Sequence, residues 1–338
     1  MEKKTRKSFI WLAILLLGTI WILAQRNKQI PYNSINGLVF GTVYNITYQY
    51  DGNLKAEIDA ELKKFDGSLS PFNDTSVITR VNRNEEIVTD TFFQTCFNRS
   101  MEISAETRGA FDITVAPLAN AWGFGFKQNS FPDSARIDTL RQFVGMDLLT
   151  LTEGKLQKKY PEITLDASSI AKGLGVDLVA EYFERKGLND YMVEIGGEVR
   201  AKGQSSKKRP WRIGIDRPEE DVTARNRRLQ MIAGLSQGAL ATSGNYRNFY
   251  VHDGKKYAHT INPKTGYPVQ TEVLSASVYA PTCMEADAYA TAFMVLGLQK
   301  ARQIVLADPE LEGAFIYLEE GKMKNWISPG FEKLIVEK

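Results

Sequence analysis

The chain opens on a basic, polar stretch, Glu2-Lys3-Lys4-Thr5-Arg6-Lys7, and then carries no charge over residues 8–24. That apolar run is close to the minimum for a membrane-spanning helix and near the upper length of a signal-peptide core. Trp11 and Trp21 stand near its two ends, where interfacial aromatics sit. Ile22-Leu23-Ala24 is not a small-x-small cleavage site and no cysteine adjoins it, so residues 1–24 are expected to persist as a membrane anchor. Four basic residues before the run against two just after it predict a cytoplasmic N-terminus and a body on the extracytoplasmic, periplasmic side. Residues 25–36, with Pro31 and several asparagines, read as a tether, and residues 37–338 as one domain.

Within that domain the apolar period switches repeatedly. Residues 38–50 are rich in Val, Ile, Thr, Tyr and Phe and read as a strand ending at Asp51-Gly52. Ile58, Leu62 and Phe65 follow the helical period over 54–66, and 92–107 read as a second helix closed by Arg108-Gly109. Helical 134–144 precedes strands over 148–156 and 162–165. The clearest helix runs over 168–186, opened by Asp166 and two serines and closed by Gly187. Strands follow at 191–195, 199–202, 211–215, 229–235, 238–242 and 246–252, and a last helix over 283–297. Runs of strands between helices, rather than regular βαβ alternation, predict an α+β fold with largely antiparallel sheets.

Composition prunes the chemistry. A net charge of +2 without a basic stripe gives no reason to expect nucleic acid. The two histidines, His252 and His259, are not spaced as in a zinc motif, and two cysteines are too few for a metal cluster or disulfide framework.

A helix over 283–297 places Asp287 and Thr291 at i and i+4 on one face. One carboxylate and one hydroxyl on an Ala-rich helix make a half-site for a hard cation such as Mg²⁺, or a buried helix whose threonine bonds its own backbone. Lys172, in the first turn of its helix, opposes the macrodipole; an anionic ligand would relieve the conflict, and so would a side chain reaching into water. Ile195-Gly196-Gly197-Glu198 allows close backbone approach or a plain hairpin. Thr242-Ser243-Gly244 suits a loop facing phosphate or ribose. His259 precedes a Pro-Gly turn and is either structural or a base on a cleft. Phe111-Asp112-Ile113-Thr114 through Trp122-Gly123-Phe124 is a core corner or the wall of a flat heteroaromatic ligand.

Taken in order, Phe-Asp-Ile-Thr-Val-x-Pro-Leu with Trp-Gly-Phe, Asp-x-Ser-Ser-Ile-Ala-Lys-Gly, Ile-Gly-Gly-Glu, Ala-Thr-Ser-Gly-x-Tyr, His-x-Ile-Asn-Pro-x-Thr-Gly-x-Pro and Ala-Asp-Ala-x-Ala-Thr-Ala closely resemble the ApbE family, the FAD:protein FMN transferases, over about residues 37–335. The resemblance implies FAD as donor, Mg²⁺, and transfer of FMN to a threonine hydroxyl of an acceptor protein, such as a subunit of a membrane redox complex, with release of AMP. Carried over by position, it implies metal ligation by Asp287, Thr291 and the Ser169 carbonyl. It implies FAD contacts at Phe40, Phe72, Ala110, Phe111, Asp112, Asp166, Lys172 and Ile261, with His259 accepting the threonine proton. The chain reads Asp166-Ala167-Ser168-Ser169 where relatives often have Asp-Leu-Gly-Gly, Asn262 where many have Asp, and Phe40 and Phe72 where Met and Tyr are common. Two rivals stand beside this reading: an FAD pyrophosphatase yielding FMN and AMP, and a protein that binds FAD without chemistry.

Overall fold

The structure is a computed structural model and describes residues 11–12, 14–19, 30–124, 131–219, 228–246, 249–252 and 255–337. The strands are β1 (Tyr32–Val39), β2 (Thr42–Gln49), β3 (Leu149–Thr152), β4 (Lys155–Lys158), β5 (Tyr191–Ile195), β6 (Glu198–Lys202), β7 (Trp211–Asp216), β8 (Leu229–Leu235), β9 (Ala239–Gly244), β10 (Phe249–His252), β11 (Lys255–Ala258), β12 (Val273–Ala280), β13 (Glu312–Glu319), β14 (Lys322–Ile327) and β15 (Ile335–Glu337). The helices are α1 (Lys55–Leu69), α2 (Val77–Asn82), α3 (Thr91–Glu106), α4 (Ala116–Ala121), α5 (Ser134–Arg141), α6 (Ala171–Arg185), α7 (Cys283–Leu296), α8 (Leu298–Ala307) and α9 (Pro329–Leu334).

An eight-stranded sheet in the order β1-β2-β5-β6-β9-β12-β13-β14 forms the spine, and every neighbouring pair in it is antiparallel. Because side chains alternate across a strand, the sheet buries both faces against different partners. Ala239, Ala241 and Phe315 join the large core under the helices, while Leu240 and Ala314, one position away, join a smaller core with Trp211, Ile215, Met231 and Phe331. That second core lies under the β15-β8-β7 sheet. The result is a helical layer, a central sheet and a small sheet, the α+β architecture expected of the sequence.

Several boundaries differ from the sequence reading. Residues 38–50 are not one strand but the end of β1 and all of β2, joined by the two-residue turn Phe40-Gly41 with φ of 52° and 71°. Both residues left-handed is the geometry that matches strand twist, and it needs a glycine at one position only. Residues 148–156 likewise fold back on themselves as β3 and β4. No strand forms over 162–165, and the helix expected from residue 168 starts at Ala171 after a turn over 168–170. The last residues of the expected tether, from Tyr32, are already strand β1. Of the expected anchor, residues 11–12 and 14–19 are helical and the remainder lies outside the described residues. Among the described residues no helix is long and apolar enough to cross a membrane.

Candidate active site

Two helices that meet at their N-termini create the site. Gly173 of α6 approaches α7 so closely that a Cβ there would stand 2.3 Å from the Cys283 carbonyl oxygen. The helices cap each other. Asp177 of α6, 3% exposed, accepts hydrogen bonds from the Cys283 and Met284 amides at 2.9 and 2.8 Å, and is paired with Arg200 at 2.7 Å. Asp287 of α7, also 3% exposed, accepts from the Gly173 amide at 3.2 Å. Each carboxylate satisfies amides that its partner helix leaves unpaired.

Beside this contact opens a cleft of about 380 Å³. Ala110, Phe111, Asp112, Asp166, Ser169, Lys172, His259, Ile261, Asp287 and Thr291 all line it, so segments spread over residues 110–291 converge on one space. Phe40 and Phe72 do not line it. The left-handed backbone at Phe40 sends its ring onto Phe65, edge to face at 5.1 Å, and over Gly175, one turn along α6 from Lys172. Phe72 lies against Gly41 and is largely exposed. Two further cavities adjoin the cleft, one sharing Asp112 and Pro263 with it and the other Ala110 and Val295.

Lys172 occupies the second position of α6, against the macrodipole. The structure removes that conflict with the protein's own carboxylates: its ammonium donates to Glu198 Oε1 at 2.8 Å and lies 3.4 and 3.5 Å from the two Asp287 oxygens. The same carboxylates hold the Lys172 pKa up although burial pulls it down. Burial pushes Asp287 upward against the pull of Lys172 and the Gly173 amide. It pushes Glu198 up to about 7, again against Lys172. Glu198 is 6% exposed, and its buried Oε2 has no hydrogen-bond partner among the described residues.

Glu198 is the residue the sequence reading missed. Its motif drew notice for the two glycines, yet the signal lay in an acidic residue opening a strand whose alternate positions are apolar. The Ile195–Glu198 pairing across the Gly-Gly turn aims that side chain at α6. Ser169 sits in the turn before α6 rather than within the helix. Thr291 lies 3.3 Å from the Ser243 hydroxyl, and Thr242 bonds Ser277 at 2.8 Å, so β9 lines the cleft with hydroxyls. On the aromatic side, Phe124 stacks on Tyr250 at 4.7 Å and meets the His259 ring edge to face at 6.5 Å. Asp112 accepts from the Thr114 amide and hydroxyl at 2.8 and 2.5 Å, and burial nonetheless raises it to about 6. Among the described residues, no group of three or more His, Cys, Asp or Glu is arranged to hold a metal; any cation here would rely on hydroxyl and carbonyl oxygens beside Asp287.

Comparison with known proteins gives this cleft a context. The ApbE family matches over residues 40–315. The FAD:protein FMN transferase of Haemophilus influenzae is 38% identical over 299 residues, spanning 83% of this chain and 86% of that protein. The protein of the same name in Vibrio cholerae is 35% identical over 333 residues, spanning 95% and 98%. Among solved structures, the flavin transferase ApbE of Vibrio cholerae superposes with a TM-score of 0.81 at 33% identity, covering 90% of this chain and 99% of that one. The apo flavinyl transferase ApbE of Pseudomonas stutzeri gives 0.79 at 29%, covering 90% and 96%. With the motifs in order along the chain and converging on one cleft, the chain belongs to the ApbE family.

Proposed function

We propose that this chain is an FAD:protein FMN transferase that moves the FMN half of FAD onto a threonine hydroxyl of an acceptor protein, with Mg²⁺ required. The observation that carries the reading is the buried meeting of Asp287, Glu198 and Lys172 beside the Thr291 and Ser243 hydroxyls, in the cleft His259 also lines. Two carboxylates against one ammonium leave negative charge uncompensated, and Glu198 Oε2 lacks a partner among the described residues; an all-oxygen donor set of this charge suits a hard divalent cation. Asp287, Thr291 and the Ser169 carbonyl would hold that Mg²⁺, which when bound supplies positive charge at the pyrophosphate.

The remaining work falls to the chain. The threonine oxygen forms a bond to the FMN phosphorus while the bridging P–O bond to AMP breaks and AMP leaves. Lys172 offers a fixed positive charge where negative charge grows on the phosphates. His259 takes the threonine proton. The aromatic wall of Phe111 and Phe124 excludes water from the flavin side. The apolar N-terminal run would keep this body at the extracytoplasmic membrane face, near acceptors such as subunits of membrane redox complexes. Intact-mass spectrometry of a threonine-bearing acceptor domain incubated with enzyme, FAD and Mg²⁺ tests the proposal. The expected result is addition of one FMN to that threonine, lost with EDTA. Free FMN and AMP with unmodified acceptor would replace transfer by hydrolysis.

A further inference from the structure

Lys172 faces two carboxylates in the same buried space, and it favours one of them. Its ammonium is 2.8 Å from Glu198 Oε1 but 3.4 and 3.5 Å from the Asp287 oxygens. Asp287 is the carboxylate proposed to hold the divalent cation, so a lysine lying on it would compete with that cation directly. Both carboxylates are nearly inaccessible to water, where such competition is least screened. Glu198 reaches this position because the Gly196-Gly197 turn starts β6 opposite the first turn of α6.

We infer that Glu198 is a positioning residue: it draws the Lys172 ammonium off Asp287, leaving the Asp287 carboxylate open to a divalent cation while Lys172 stays in the cleft as a charge for the phosphates. The inference rests on the reading of Asp287 as a metal ligand. It differs from a general field effect of one more negative charge, because it runs through the Glu198–Lys172 contact and vanishes without the lysine.

The test is Mn²⁺ binding to the full chain, alone and with FAD, followed by loss of the free-ion electron paramagnetic resonance signal. Glu198→Gln is expected to weaken Mn²⁺ binding about tenfold or more, as an unscreened lysine settles on Asp287. In a Lys172→Met background the same substitution is expected to change binding by no more than about twofold, the mark of a coupled pair. Glu198→Asp, which keeps the charge but withdraws it by one methylene, gives an answer even where Lys172→Met does not fold: it too is expected to weaken binding. Equal penalties with and without Lys172, no penalty in Glu198→Gln, or wild-type binding in Glu198→Asp would each overturn the inference. Unchanged Mn²⁺ binding in Asp287→Asn would instead remove the metal reading on which it stands.

Discussion

Asp287 serves two ends at once, which shapes what its replacement should do. It caps the Gly173 amide of α6 and is the sole carboxylate in the proposed ligand set. Asp287→Ala should therefore abolish Mg²⁺-dependent FAD cleavage, while Thr291→Val, losing one neutral ligand that water can replace, should weaken it less. Cleavage at wild-type level in Asp287→Ala without added metal would show the site misread; circular dichroism melts separate this from unfolding. His259, at the aromatic side of the cleft, should matter in the transition state and little to binding. His259→Ala should keep FAD affinity within a few fold while flavinylation of an acceptor falls by about 10²–10⁴, read by fluorescence titration and in-gel flavin fluorescence. Unchanged flavinylation would remove His259 from the mechanism. Asp112 yields a pH signature. Burial raises its carboxyl from 3.8 to about 6 in the folded chain, so the native state keeps a proton that the unfolded state releases. Its contribution thus favours folding below the unfolded value and is lost as pH rises towards 6, by an amount on the order of 2–3 kcal/mol. Urea unfolding at pH 4.5 and pH 7 should show wild type losing more stability between the two than Asp112→Asn; parallel losses would contradict the raised carboxyl.

At the scale of elements, the site depends on the reciprocal capping of α6 and α7, which brings Lys172 and Asp287 into one space. The closeness of the contact rests on Gly173, where a methyl group would meet backbone rather than a movable side chain. Gly173→Ala should push the helices apart and cost about 1–3 kcal/mol, as overpacking does. It should also weaken FAD cleavage, because Asp287 and Lys172 ride on the two displaced helices. Urea denaturation checks the first expectation, and a loss below about 0.5 kcal/mol would mean that the contact yields easily. The hairpin turn at Phe40-Gly41 shows the same dependence of a side chain on local backbone: with Phe40 left-handed, its ring is committed to Phe65 and α6.

For the whole molecule, the central sheet lies between a helical layer that carries the candidate site and a small sheet that covers its other face, and β9, β12 and β13 tie the two cores together. Strand pairing begins at Tyr32, so only a few residues separate it in sequence from the apolar run. The mature protein is accordingly expected to retain residues 1–24 and to sediment with membranes. N-terminal sequencing of the membrane fraction checks this, and a mature chain starting near Gln25 would refute the anchor.

The sequence by itself determined the class of fold and named most of the residues that converge on the candidate cleft. Helical and strand periods report which side of each element is apolar, and that local information suffices for α6, α7 and the central strands β5, β6 and β9, whereas β12, β13 and β14 went unread. Lys172, Asp287 and Thr291 were legible because their types are unusual where they stand, a lysine in a helix's first turn and a carboxylate and hydroxyl on an alanine-rich face, whereas Ala110, Asp166 and Ile261 were named as site residues only through the resemblance of their motifs to the ApbE family. Chain reversals at Phe40-Gly41 and within 148–156 were hidden, because a phenylalanine or glutamate in the first turn position carries no turn signal and only pairing with a neighbouring strand selects the left-handed backbone. Likewise only the tertiary structure decided what neutralises Lys172. Its partners come from a strand and a helix remote in sequence, Glu198 and Asp287, and electrostatics between buried groups depends on distance and desolvation, which no local pattern encodes.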